Sequence, residues 1–171
     1  MTYKHIEEKA ESILKKEGFY YAGFDIFKLV KKLQIELIKK EFDNDISGLL
    51  AISNNKVIIS YNKLEDPKRN RFTVAHELGH YFLHSNDQPF FINKSPKVMY
   101  RNTTSSTGEV LKEREANAFA ASILMPQELI SQEIENCLFG GEETIKQLAK
   151  VFKVSEQAMT FRLSNLGYYI G

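Results

Sequence analysis

The pentapeptide His76-Glu77-Leu78-Gly79-His80 constrains this chain more than any other stretch, because its chemistry works only on a helix. At 3.6 residues per turn, His76 and His80 stand one turn apart, about 40° around the axis and roughly 6 Å along it. Two imidazoles so placed form a clamp for one metal ion. Glu77 falls on the other side of His80, within reach of a water on that metal without ligating the metal itself. A metal lowers the pKa of such a water, and the glutamate is positioned as general base. The surrounding stretch, Arg71 to His84, suits a helix. Phe72, Val74, Ala75, Leu78, Gly79, Phe82 and Leu83 fill one half of the wheel, and His76, Glu77, His80 and His84 share the other. The wheel predicts a helix packed on its apolar half that shows its histidines to an open cleft. Gly79 costs roughly 1 kcal/mol in a helix interior, which close backbone packing would offset. A chance match is the competing reading, but it would not usually place both histidines on one arc of an amphipathic helix. Three of the four histidines in the chain also fall within these nine residues.

A hydrolytic zinc site takes three protein ligands and keeps one position open. A third histidine at the spacing His-Glu-x-x-His-x-x-Gly-x-x-His is absent, because Leu83 and Asn86 occupy the last two slots. His84 lies one turn past His80, but a straight helix carries it away from the ion. It reads instead as a cation at the helix C-terminus, where the dipole favours it. The remaining candidates are carboxylates on a second helix, Gly108 to Met125, whose core face is Ala116, Phe119, Ala120, Ile123 and Leu124. Glu113 lies on that face, Glu115 points to the side, and Glu109 sits in the fraying first turn. Glu113 is the preferred ligand, with Glu109 and Glu115 as alternatives. Asn117, at the margin of the face, is placed to accept a hydrogen bond from a ligating imidazole. Ala116 and Ala120 are small enough to let the two helices meet around one ion.

The rest of the chain builds an α+β frame for these helices. Residues 3 to 17 form an amphipathic helix stopped by Gly18, and Asp25 caps a short helix from Ile26 to Leu33. Strands follow at Ile35 to Phe42, Ser47 to Ser53 and Lys56 to Asn62, the last two joined by the hairpin signal Asn54-Asn55. They predict a small antiparallel sheet, whose edge can hold an extended peptide beside the metal. Lys63 to Asn70 reads as a charged turn. Ser85 to Thr107 is a long connection with an apolar Pro89-Phe90-Phe91-Ile92 patch and a strand at Lys97 to Arg101. Tyr100 in that strand is a candidate oxyanion stabiliser, although a buried aromatic is the better reading of it. Pro126 fits the first turn of a helix from Gln127 to Glu135.

After a hinge at Gly140-Gly141, two amphipathic helices, Glu142 to Phe152 and Ser155 to Leu166, form a helix-turn-helix-like pair. The second offers Gln157, Arg162 and Asn165 for base recognition, but residues 142 to 171 carry only four basic against three acidic side chains. A packing or protein-docking role is favoured and DNA binding disfavoured. The organisation expected is therefore a metallopeptidase-type domain at 1–138 and a helical appendage packed on it at 139–171. A length of 171 residues and 43% hydrophobic content suffice for one real core, and a net charge of +1 argues against a strongly electrostatic nucleic-acid binder. The lone Cys137 excludes an internal disulfide, and neither a secretory signal nor a membrane span is visible, so the expected location is the cytoplasm.

Two motifs together carry a family likeness. Arg71-Phe72-Thr73-x-Ala75-His76-Glu77-Leu78-Gly79-His80 pairs with Glu113-x-x-Ala116-Asn117-x-Phe119-Ala120-Ala121-x-x-Leu124-Met125-Pro126, preceded by Ile46-Ser47-Gly48 and its hairpin. Over about residues 44 to 126 the chain resembles the ImmA/IrrE family of zinc metallopeptidases. The resemblance implies a zincin-like fold, zinc (Zn2+) held by His76, His80 and Glu113, and Glu77 as catalytic base. It further implies a bacterial or phage protein whose substrate is a helix-turn-helix (XRE-type) transcriptional repressor, often encoded next door. Cleavage would release a mobile element or a stress response. Some relatives sit in toxin–antitoxin-like pairs. The rival expectation is therefore a repressor- or DNA-binding regulator whose metal site is structural or vestigial.

Overall fold

The computed structural model describes residues 3–43, 45–54, 56–94, 107–137 and 140–168. Among these the elements are α1 (Lys4–Glu17), α2 (Ile26–Lys32), β1 (Glu36–Lys40), β2 (Ile46–Ser53), β3 (Lys56–Asn62), α3 (Pro67–His84), β4 (Phe90–Lys94), α4 (Thr107–Leu124), α5 (Gln127–Glu135), α6 (Glu142–Phe152) and α7 (Glu156–Asn165). The class is α+β, as expected. Two compact units are present, Ile26–Ala120 and Met1–Asp25 with Ala121–Gly171.

The first unit contains a four-stranded sheet in the order β1-β3-β2-β4. β2 and β3 form the expected antiparallel hairpin, closing at Ser53↔Lys56, with Asn54 in the left-handed region at φ 44° that asparagine tolerates. β1 departs from expectation. It lies beside β3, with Leu37 opposite Ile59, and since β3 has already turned back on β2 the pairing is parallel, not antiparallel. The sheet is therefore mixed. Alternation along a strand identifies its buried face but carries no information about which neighbour it joins.

β4 forms from the Phe90-Phe91-Ile92 patch, which the sequence reading had left in a connection. It pairs antiparallel with β2, Phe91 opposite Leu50. Phe91 and Asn93 point inward while Phe90 and Ile92 stay exposed, the period-two pattern of a strand with one covered face. The strand expected at Lys97 to Arg101, with Tyr100, lies outside the described residues.

Helix α3 packs against β2 and β3. It begins four residues before the expected stretch: the segment read as a charged turn ends at Asp66, whose side chain accepts a hydrogen bond of 2.8 Å from the Lys68 amide. Pro67 supplies the first helical residue, where a missing N–H costs nothing. Gly48 sets how closely α3 lies on β2. A Cβ at that position would come within 2.4 Å of Thr73 Cγ2 and 2.9 Å of the Ser60 carbonyl oxygen. Gly79 does the same between α3 and α4, since a Cβ there would sit 3.1 Å from the Ala116 backbone and from Phe119 Cβ. The close packing expected at Gly79 is present.

The expected open arc on α3 is not. His76, Glu77, His80 and His84 are all buried. Phe91 of β4 stacks on His80 at 4.3 Å between ring centroids, and Glu113 of α4 closes on the two histidines, so the polar half of α3 is covered as thoroughly as the apolar half. The wheel distinguishes two faces but does not say what covers the second.

In the second unit α1 buries Ile6, Ala10 and Leu14 and ends at Gly18, φ 78°. α6 and α7 occur where two helices were expected. Ser155 caps α7 by accepting from the Ala158 amide at 3.1 Å, and Leu148, Ala149, Phe152, Val154, Met159 and Leu163 are buried. Arg162 is not a free surface residue. Its Nε donates to the Met125 carbonyl at 2.9 Å and its guanidinium pairs with the Glu7 carboxylate. Among the described residues no helix is long and apolar enough to cross a membrane.

Gly79→Ala tests the α3–α4 contact. Helix propensity favours the change by about 1 kcal/mol, but overpacking against the Ala116 backbone costs about 1–3 kcal/mol. Urea unfolding should show a net loss of stability. A variant more stable than wild type would mean that the two helices separate at no cost.

Candidate metal centre

Successive turns of α3 deliver His76 and His80 with their Nε2 atoms 3.0 Å apart. From α4, Glu113 places Oε2 at 3.2 Å from His76 Nε2 and Oε1 at 3.1 Å from His80 Nε2. The three side chains can turn one ligand atom each to a common point. Two imidazole nitrogens and one carboxylate oxygen are the donor set of a hydrolytic zinc site.

The protonation states suit that use. His76 Nδ1 lies 2.9 Å from Asn117 Oδ1, an oxygen that can only accept, so the imidazole carries its proton on Nδ1 and turns the Nε2 lone pair inward. Burial lowers the pKa of His80 against the opposing pull of Glu113, which favours the neutral, ligating imidazole. For Glu113 burial raises the pKa, but hydrogen bonding and charge from His76 and His80 outweigh it and hold the carboxyl at about 2. Without a cation the imidazoles can hold Glu113 by donating to it. Once both turn Nε2 lone pairs inward as ligands, those lone pairs and the anionic carboxylate, converging at about 3 Å, repel one another. A divalent cation at their meeting point converts that repulsion into attraction, so the residues fit the metal they were expected to hold.

Glu77 stands beside this triangle and is fully buried, with neither carboxylate oxygen hydrogen bonded to protein. Burial, and then the charge of Glu113, push its pKa well above the usual range. The position a Gly48 Cβ would occupy is 3.5 Å from Glu77 Oε1, so the strand leaves the carboxylate only a narrow space. Burying an unpaired carboxylate costs several kcal/mol, and such a group beside a metal-type cluster is a candidate general base.

Of the three carboxylates considered on α4, the structure brings Glu113 to the histidines and leaves Glu109 and Glu115 out of the cluster. Asn117 meets His76 as expected. His84 ends α3, as expected, but not on an exposed arc. It is buried, with Nδ1 at 3.1 Å from His80 Nδ1 and Nε2 at 3.0 Å from Glu115 Oε2. The i+4 spacing from His80 was the available signal for this contact. It was passed over because it was weighed only as a route to the ion.

A metal-binding cluster assembled from a His-Glu-x-x-His helix and a carboxylate on a second helix, over a small sheet, defines a zincin-like metallopeptidase. The chain belongs to the peptidase family described as the IrrE N-terminal-like domain, which matches residues 30–164. It is therefore a metallo-protease, a hydrolase. It is 24% identical over 170 residues to the metallopeptidase ImmA of Bacillus subtilis, covering 98% of this chain and 89% of that protein. It is 32% identical over 111 residues to the radiation response metalloprotease IrrE of Deinococcus radiodurans, covering 63% of this chain and 30% of that protein. A solved structure of a Mycobacterium tuberculosis transcriptional regulator shares the fold, with a TM-score of 0.66 and 16% identity over 94% of this chain and 46% of that one. The chain thus spans most of the first relative and less than half of the other two.

Zinc supplied at a hundred times its Kd should stabilise the protein by about 2.7 kcal/mol, read as a rise in the melting midpoint that a chelator reverses. His76→Ala should remove the rise. Equal shifts in variant and wild type would place the metal elsewhere.

Proposed function

We propose that this chain is a zinc-dependent endopeptidase in which His76, His80 and Glu113 hold the metal and Glu77 is the catalytic base. The observation that carries the reading is Glu77, a buried carboxylate with two unpartnered oxygens beside the His76–His80–Glu113 triangle. Zinc held there would supply Lewis acidity, activating water at neutral pH and polarising the scissile carbonyl. Glu77 takes the proton from the attacking water and returns it to the leaving amine, a role its free oxygens and raised pKa suit. The outer edge of β4 is unpaired among the described residues, and Phe91 of that strand stacks on His80. An extended peptide added along this edge would run past the metal.

The substrate in this proposal is a helix-turn-helix (XRE-type) transcriptional repressor, and its cleavage derepresses a mobile element or a stress response. Support comes from the family and from the likeness to ImmA and IrrE, both metallopeptidases by name. The setting is the cytoplasm, consistent with the unpaired Cys137. The proposal divides the chain into a peptidase domain at 1–138 and a helical appendage at 139–171 that docks protein. The rival reading, a DNA-binding regulator with a vestigial metal site, is weakened by Arg162. That side chain is the one cation α7 offers for reading bases, and it is spent on Glu7 and the Met125 carbonyl.

The test is intact-mass analysis of a helix-turn-helix repressor incubated with zinc-loaded protein, with Glu77→Gln in parallel. Wild type should make a single cut. The variant should bind zinc in the same stoichiometry while cleavage falls by about a thousandfold. Equal cutting by both proteins removes Glu77 from the mechanism. An uncut repressor that co-elutes with both favours sequestration instead.

A further inference from the structure

His84 is buried, lies one turn beyond the proposed ligands, and touches one of them through a ring nitrogen. We infer that Glu115 and His84 form a hydrogen-bond relay that fixes the tautomer and orientation of His80, making both of them positioning residues for the metal. The inference rests on the reading that His76, His80 and Glu113 hold zinc.

The proton positions follow from the ligating geometry. If His80 ligates through Nε2, its single proton sits on Nδ1. The atom facing that proton at 3.1 Å is His84 Nδ1, which must present a lone pair to receive it. The proton of His84 then belongs on Nε2, and the atom 3.0 Å away is Glu115 Oε2, a carboxylate oxygen that accepts. Once His80 ligates through Nε2, the links run in one direction, from His80 to His84 to Glu115. With His84 neutral and donating to Glu115, moving the His80 proton to Nε2 would leave two lone pairs facing each other at Nδ1 and aim an N–H at the metal position. The ring is also held from the side, because Phe91 stacks on it with an interplanar angle of 19°.

The two ligating imidazoles are thus backed unequally. His76 donates to a neutral amide, Asn117, whereas His80 donates to an imidazole that is itself polarised by an anion. Charge behind an imidazole strengthens it as a donor of electrons to a metal. Holding α3 to α4 does not by itself require this proton order, so the relay and a purely structural His84–Glu115 contact make different predictions.

The experiment compares His84→Leu, His84→Asn and Glu115→Gln with wild type by chelator competition for zinc, by the absorption spectrum of the Co2+-loaded protein, and by melting of the metal-free protein. His84→Leu should weaken zinc binding by about 10- to 100-fold and alter the Co2+ spectrum. His84→Asn keeps an acceptor oxygen near His80 Nδ1 and should recover most of that loss. Glu115→Gln, which removes the charge and keeps an acceptor, should fall between His84→Leu and wild type. Wild-type zinc affinity and Co2+ spectrum in both His84→Leu and Glu115→Gln would overturn the relay, whatever happened to metal-free melting. If His84→Leu does not fold, an unchanged Co2+ spectrum and affinity in Glu115→Gln overturns it alone. His76→Ala is the control for the underlying reading: zinc retained by it means that the proposed ligands are wrong, whereas zinc lost by it but not by the His84 and Glu115 variants removes only the relay.

Discussion

Two carboxylates, the fully buried Glu77 and the half-buried Glu113, feel each other's charge beside the same pair of histidines, and the architecture around them answers that constraint. Isolated anions of this kind do not enter a protein interior without a partner, because desolvation costs several kcal/mol each. Glu113 has the two imidazoles, whose hydrogen bonds and charge outweigh its burial. Glu77 has no hydrogen-bond partner among the described residues, and burial and its neighbour both drive it toward the neutral form. A divalent cation at the convergence of His76, His80 and Glu113 would balance the two anions. It would also pull Glu77 back toward the ionised form that a general base needs.

Everything that brings α3 against its neighbours serves this small volume. Gly48 removes a side chain where β2 meets Thr73, and Gly79 removes one where α3 meets Ala116. With larger residues at these two positions, α3 would sit farther from the sheet and from α4. The Nε2 atoms of His76 and His80 and the Glu113 oxygens lie about 3 Å apart, and an outward shift of α4 would separate Glu113 from both histidines together. Helix propensity argues against Gly79, and packing overrules it. The local cost is the means by which His76 and His80 on one helix meet Glu113 on the other.

Much of this was legible in the sequence, and the parts that were not share a cause. The His-Glu-x-x-His spacing, Glu113 on the core face of α4 and Asn117 behind His76 follow from helical geometry, which is local and periodic. Asp66-Pro67 is equally local, a cap followed by proline, and was missed because the run of charges around it suggested a turn. β4 was missed because Pro89 to Ile92 is short and continuously apolar, without the alternation that identifies a strand. The parallel β1–β3 pairing, the cover over the polar half of α3 and the burial of Arg162 are all matters of which element meets which. No periodicity within one segment records that.

His84 shows where the two kinds of information meet. Its distance along the helix was sufficient to exclude it as a ligand of the same ion, and that geometric exclusion agrees with the structure. The electrostatic assignment that followed, an exposed cation on a helix dipole, treated the helix end as though it faced water. Glu115 ranked only as an alternative ligand because it points to the side, and it meets His84 for the same reason. Two side chains placed below Glu113 as ligands are thus satisfied as a pair behind His80. A metal centre on a buried helix needs such partners, since each ligating imidazole brings a second nitrogen into the interior that must be hydrogen bonded. Asn117 and His84 occupy those two places, so the polar residues surrounding a site of this kind can be sought by following the second nitrogen of each proposed ligand.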